Sequence, residues 1–186
     1  MTSKSARVLA ISLHNQPWFD EMYAPLLTAL RSKAEFQRAE NSTLTFLLGS
    51  GSSVCPPRRH GNHHGPVPSF VQPDSVKSFF SRAGLPWGVG SYHRTTFALN
   101  QSAVGVDNAQ KLPQRYTQKA VFVNNVAPED MWYNTEDDSV PPTSGKVAGE
   151  TAVALAKVGE GKLGYVGDVN AEDGSNAVVL AMCGLL

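Results

Sequence analysis

The run Arg7 to Leu13, "RVLAISL", is apolar at odd and even positions alike after its first residue. A strand with one face in water alternates apolar and polar residues, whereas a strand covered on both faces has no need to. The run therefore predicts a strand inside a parallel sheet clothed by helices, and that requirement constrains the rest of the chain. After the loop "HNQP", the residues Phe19, Met22, Tyr23, Leu26, Leu27 and Leu30 recur at three- and four-residue spacing, the stripe of an amphipathic helix. Pro25 falls inside that stripe, and a proline in a helix interior costs about 3 kcal/mol, so a break or kink is expected near Ala24. Ala34 to Arg38 supplies a short second strand. Such a βαβ start places the loop from His14 to Trp18 at the carboxyl end of the first strand, the edge at which open α/β sheets bind ligands.

The C-terminal third carries equally strong local signals. "TAVALAKVGEGKLGYVGDV" reads as two strands joined by the turn Gly159-Glu160-Gly161-Lys162. A helix follows from about Asn176, with Asp173 or Ser175 as its cap, and its near-continuous apolar residues predict burial. Cys183, late in that helix, reads as a small core residue. In the middle, "SVKSFFSRAGLPW" predicts a short helix capped by Asp74 or Ser75 and ending at Gly84, with Val76, Phe79 and Phe80 inward. Tyr92 to Asn100 and Gln118 to Val126 read as strands. The polar stretch after Val126 reads as a connection ordered at Met131 to Tyr133 and mobile around Glu136 to Gly145. No internal repeat is present.

At 186 residues, 41% hydrophobic and 17% charged, the chain has the size and composition of one globular domain, residues 1–186. Sixteen Lys and Arg balance sixteen Asp and Glu, so nothing global steers it toward nucleic acid or an anionic membrane, and neither is expected as a partner. No apolar run approaches a membrane span, and "VLAISL" is too short for a signal segment. Two cysteines, Cys55 and Cys183, suit a reducing, cytoplasmic setting better than a disulfide framework. No motif calls for a cofactor. The expected partner is a small-molecule ligand, and nothing in the sequence sets an oligomeric state.

Three segments, "HNQPWFDEMYAPLLTAL", "SFVQPDSVKSFFSRAGLPWGVGSYHRTTFALN" and "KVGEGKLGYVGDVNAEDGSNAVVLAMCGL", resemble a fungal protein family without an assigned reaction. More distantly, the strand order and the final "GKLGYVGD" strand with its helix look like the trehalose-utilisation (ThuA-like) branch of the class I glutamine amidotransferase-like fold. The resemblance implies a flavodoxin-like, mostly parallel sheet flanked by helices, closed by a C-terminal hairpin and helix. It implies no particular reaction.

Such a fold needs a further βα unit after its second strand. This chain offers "STLTFLLGSGSS", with Leu44 to Leu48 as the strand, and then "VCPPRRHGNHHGPVPSF", which has no apolar period and no helix-forming run. Residues 49–70 are accordingly expected to be an irregular loop or a replaced segment, as an altered reading frame or splice variant would produce, with a central βα unit missing. Cys55, His60, His63 and His64 are acceptable zinc ligand types, but Pro56, Pro57, Gly61, Gly65, Pro66 and Pro68 deny them a helix or defined turns. No metal is expected.

For catalysis, the amidotransferase-like fold uses a cysteine on a strand-to-helix elbow, and neither cysteine here occupies one. "GSGSS" at Gly49 to Ser53 does not satisfy Gly-x-Ser-x-Gly and reads as a turn. Polar residues at the ends of strands are the remaining candidates for a ligand site: His14, Asn15 and Trp18 after the first strand, Asp168 and Asn170 after the last, and His93 and Arg94 on a middle strand. Where ThuA-like proteins often carry a Gly-His pair this chain has "GDVN", so no role passes from that histidine to Asp168. Asp168 is also what a turn or helix cap requires, and His93 and Arg94 suit a cross-strand surface. Two functions fit: a non-catalytic or degenerate α/β domain that binds a small molecule or partner, and a hydrolase, esterase/lipase-like or amidotransferase-like, using His14 and Asp168.

The metal expectation is directly testable. Changing His60, His63 and His64 together to Ser is expected to leave stability within about 0.5 kcal/mol, as for surface changes away from special features. Elemental analysis with melting curves in chelator is the check, and one zinc per chain with a chelator-induced drop in Tm contradicts it.

Overall fold

The computed structural model describes residues 6–12, 19–40, 52–55, 73–136 and 147–186. The N-terminal run forms β1 (Arg7–Ser12), followed by α1 (Phe19–Met22), α2 (Ala24–Lys33) and β2 (Glu35–Glu40). The break falls where the proline demands it. Tyr23 separates the two helical pieces and Pro25 sits in the first turn of α2, where no intrahelical N–H is lost. Leu26, Leu27 and Leu30 bury the inward stripe.

β1 pairs in parallel with β2 on one side and with β3 (Ser52–Cys55) on the other, and β3 pairs in parallel with β8 (Gly161–Val166). The sheet closes with β7 (Val153–Val158), antiparallel to β8, giving the order β2-β1-β3-β8-β7. Val158 pairs with Gly161 across a turn in which Gly159 has φ 57°, so the expected hairpin is present. The central strand is displaced from its expected position. Leu44 to Leu48 lie outside the described residues, while Ser52–Cys55, inside the stretch expected to be irregular, hydrogen-bonds into the middle of the sheet. The remainder of residues 49–70 also lies outside the described residues.

Both faces of this sheet are covered. On one face Val8, Val153, Leu155 and Val166 pack with α2 and with α6 (Asp173–Met182). On the other, Ala154, Ala156, Val158, Leu163 and Tyr165 pack with Val76, Phe79 and Phe80 of α3 (Pro73–Arg82) and with Trp87. Two-sided burial is the physical content of the unbroken apolar text in β1, β7 and β8. α3 ends at Gly84, at φ 78°, as expected. α6 starts earlier than expected: Glu172 is its capping residue and Ser175 lies inside the helix. Cys183 is buried in the core.

The fold is mixed α/β, but a single mostly parallel sheet is not what forms. β4 (Gly88–Leu99) pairs antiparallel with β5 (Arg115–Asn124) and with the short β6 (Tyr133–Thr135), making a second, three-stranded sheet. Two single-turn helices, α4 (Gln101–Val104) and α5 (Val106–Ala109), join β4 to β5. The reason is in the pattern. Thr95 and Phe97 are buried and Arg94 is exposed, as are Gln118 and Ala120 against Thr117, so these strands alternate as a one-sided antiparallel sheet does. The stretch expected to be an ordered loop supplies a bridge from Met131 to Ala154 and then β6.

The two sheets meet along β5. Val121 N–H donates to the Gly167 carbonyl at 3.0 Å and Val169 N–H to the Lys119 carbonyl at 3.1 Å, with Ala120 bridged to Asp168. Thr151 and Val123 exchange backbone hydrogen bonds at 2.8 and 3.0 Å. A Cβ on Gly167 would lie 1.9 Å from the Val121 carbonyl oxygen, a backbone atom with no freedom to withdraw. Gly167→Ala is therefore expected to destabilise the domain by at least about 1 to 3 kcal/mol. Urea denaturation checks this, and an unchanged midpoint contradicts it.

Candidate functional site

The strongest concentration of polar side chains stands where the chain leaves β8 and turns into α6. This is the carboxyl end of the parallel strands. Among the candidates from the sequence, Asp168, Asn170 and Arg94 come together here, and His93 neighbours Arg94 on β4. His14, Asn15 and Trp18 lie outside the described residues.

Asp168 organises the loop. It is 2% exposed, and its Oδ1 accepts the Asn170 N–H at 2.8 Å while Oδ2 accepts the Glu172 N–H at 2.7 Å. Its own carbonyl accepts the Tyr23 hydroxyl at 3.1 Å, tying α1 and α2 to the turn. With both carboxylate oxygens holding backbone N–H groups, Asp168 does the work of a turn acid. Between them Ala171 takes φ 55°, a left-handed conformation that a residue with a Cβ adopts only when its surroundings impose it.

Arg94 reaches this loop from β4. Its Nη1 donates to Glu172 Oε1 at 2.7 Å, and its Nη2 donates at 2.7 Å to the Asn170 side-chain oxygen when that amide is oriented to suit its neighbours. The Arg94 side chain is 49% exposed and that of Glu172 20%. Among the described residues, Glu172 Oε2 is buried without a hydrogen-bond partner. Burial, and next the nearby Asp168 charge, push the Glu172 carboxyl above its ordinary range, with Arg94 pulling the other way.

Beneath lies a buried polar layer. Gln118 is 0% exposed; its Oε1 accepts the Ser175 hydroxyl at 3.2 Å and its Nε2 has no hydrogen-bond partner among the described residues. Gly174 lets the first turn of α6 close on Tyr116, since a Cβ there would meet the ring at 2.6 Å. An adjoining, mostly apolar cavity of about 30 Å³ is lined by Val8, Phe19, Tyr23, Leu27, Asp168 and Val179 among others.

His93 is half-buried rather than a free surface residue. Its ring stacks on Phe122 at 4.5 Å between centroids, 16° from parallel, and its Nε2 is buried without a hydrogen-bond partner among the described residues. Nearby, the Ser91 hydroxyl donates to Glu150 Oε2 at 2.7 Å and the Ser91 N–H donates to Oε1, at a bulge between Val89 and Tyr92. Burial lowers the His93 pKa below its ordinary 6.5, and the Glu150 charge opposes this.

Glu172, Gln118, Ser175, Ser91 and Glu150 were not among the sequence candidates. Gln118 carried a usable signal, an amide in step with the apolar Ala120 and Phe122 of the same strand at two-residue spacing. Glu172 could have been read from the acidic "AED" that opens α6. Among the described residues, no group of three His, Cys, Asp or Glu side chains is placed to hold a metal ion, and no helix is long and apolar enough to cross a membrane.

No family model matches the chain, and no curated protein does. Among solved structures, a ThuA-like protein from Parabacteroides merdae is similar over 97% of this chain and 89% of that one, at 9% identity and a TM-score of 0.48. A likeness of that degree decides neither fold nor activity.

The titration of His93 has a consequence for stability. A histidine with a lowered folded pKa leaves the unfolded chain binding more protons below about pH 6.5, so stability rises as pH rises through the window just below that value. The Tm of the wild type is expected to gain more than that of His93→Gln between pH 5.5 and 7.5. Equal gains contradict the burial of a neutral imidazole.

Proposed function

We propose that this chain is a non-catalytic α/β binding domain, a degenerate relative of ThuA-like proteins, that takes a small polar molecule at the rim formed by Arg94, His93, Asn170 and the loop after β8. The reading includes a cytoplasmic setting. One observation carries it: both oxygens of Asp168, the acid best placed for chemistry at this edge, are engaged by backbone N–H groups within the loop, while the Arg94 side chain at the same rim stays half exposed. An acid so engaged is a scaffold for the loop, and a half-exposed arginine on the rim has the donors that recognition of a polar ligand needs. The position agrees with the general location of ligands in open α/β sheets.

A hydrolase is the second reading, and it rests on Ser91, Glu150 and His93. A serine hydroxyl on a carboxylate, with an imidazole two residues along the same strand, has the residue types of a nucleophilic site. The geometry favours binding over this alternative. The Ser91 proton is directed at the carboxylate itself, and among the described residues His93 Nε2 has no hydrogen-bond partner to relay through.

A thermal-shift screen of small polar metabolites tests the binding reading. A ligand present at about 100 times its Kd stabilises by about 2.7 kcal/mol. For a chain of this size that is a Tm increase of several degrees. The increase is expected in the wild type and lost in Arg94→Ala. Saturable labelling by a fluorophosphonate that disappears in Ser91→Ala is the result that overturns this reading in favour of the hydrolase.

A further inference from the structure

The rim residues carry a more specific inference about ligand class, which rests on the binding reading above. We infer that Glu172 stands, within the chain, in the place of a ligand carboxylate on Arg94, and that carboxylate-bearing small molecules bind by displacing it.

Three observations on the page converge on this. The first is the fork. Arg94 aims Nη1 and Nη2 at the same loop, each donating at 2.7 Å, one to the Glu172 carboxylate and one to the Asn170 amide oxygen. A guanidinium prefers to give two parallel N–H groups to the two oxygens of one carboxylate. Here Glu172 offers it only one.

The second is the state of Glu172 itself. Among the described residues its Oε2 is buried with no hydrogen-bond partner, so half of the carboxylate has given up water without gaining a donor from them. Asp168 faces it from the same loop and Arg94 from β4, and its carboxyl is held above the ordinary range by burial and by Asp168. Glu172 is thus a weakly matched occupant. A free carboxylate can rotate to take both Nη atoms, which Glu172, tethered by its backbone N–H to Asp168, does not do.

The third is that the segment able to release it is already under strain. Ala171, immediately before Glu172, holds φ 55°. Relaxation of that residue turns the Glu172 side chain outward at the expense of the Glu172 N–H bond to Asp168 and the Ser175 N–H bond to the Glu172 carbonyl, while the Ser175 hydroxyl on Gln118 still holds the first turn of α6. The two donors of Arg94 are then available on a rim that already contains the Asn170 amide.

The neighbouring charges set the preference for a small anion. Lys119, which is paired with Arg94 in the β4–β5 register, adds positive charge on the same strand pair, its ammonium 5.2 Å from the Tyr92 ring centroid. The Asp168 carboxylate is screened by its two N–H donors. Expulsion of Glu172 removes the negative charge that otherwise neutralises Arg94.

The test is titration calorimetry with succinate, and with neutral succinamide as its isosteric control, on four forms of the full chain: wild type, Glu172→Gln, Arg94→Gln and the double variant. Succinate is expected to bind the wild type weakly and Glu172→Gln at least tenfold more tightly. Binding is expected to vanish in both Arg94→Gln forms, and succinamide to bind none of the four. Because Glu172→Gln keeps the backbone N–H to Asp168, it is expected to fold. Amide NMR of the wild type provides a readout that needs no variant, with succinate shifting Asn170, Ala171 and Glu172 together.

No succinate binding by Glu172→Gln overturns the inference, as does a gain that survives Arg94→Gln or succinamide binding of equal strength. Binding of an uncharged molecule that needs Arg94 but is indifferent to Glu172 also overturns it while leaving the binding reading intact. If no molecule of any class binds at this rim, both fall.

Discussion

The contact on which the architecture depends is the seam between the turn after β8 and the outer edge of β5. Gly167 and Val169 exchange backbone hydrogen bonds with Val121 and Lys119, and the approach is so close that position 167 admits no side chain. Without this seam the three-stranded sheet has an unpaired edge and the five-stranded sheet loses the element that positions its last loop. Asp168 sits on the seam. Its side chain holds the loop from within and its carbonyl receives Tyr23 from the helical layer, so the loop, both sheets and the first helical segment meet at one residue.

That placement accounts for the chemistry of the rim. A carboxylate used as a structural acceptor is removed from catalysis but imposes its charge on its surroundings, and Glu172, four residues on, feels it. Arg94 answers both. A guanidinium from the second sheet compensates a loop of the first, which couples the two layers electrostatically as well as through the backbone. The buried layer of Gln118, Ser175 and Tyr116 beneath extends the same logic inward, with polar groups gathered where the first turn of α6 packs on a strand. Buried polar groups of this kind favour one packing arrangement over others when they are satisfied, and mark a place open to a further partner when they are not.

Much of the fold was legible because it is local. A helix stripe at three- and four-residue spacing, a proline that must fall in a first turn, a glycine turn between two apolar runs and a glycine closing α3 each state their structure within a dozen residues. The second sheet was not legible as such. Tyr92 to Asn100 and Gln118 to Val126 are recognisable as strands, but a strand's own pattern does not say which edge it will pair with, and β6, three residues long, carries no periodic signal. The central strand lay beyond sequence reasoning for a different reason. "SSVC" has no strand pattern of its own and is a strand because β1 and β8 offer it hydrogen bonds on both edges.

The candidate site divides along the same line. Asp168 was readable as a turn acid because its partners are two and four residues away. The pairing of Ser91 with Glu150 spans 59 residues and that of Ser175 with Gln118 spans 57, and no pattern in one dimension relates them. By itself the sequence determined a mixed α/β chain with a βαβ start, a C-terminal hairpin and a buried final helix, since hydrophobic period and turn chemistry act over short distances. Only the tertiary structure decided that β4 and β5 leave the main sheet, that Asp168 is spent on backbone N–H groups, and that Arg94 faces Glu172. Those outcomes depend on which edges and charges remain unmatched once the local elements have packed, a condition set by the whole chain at once.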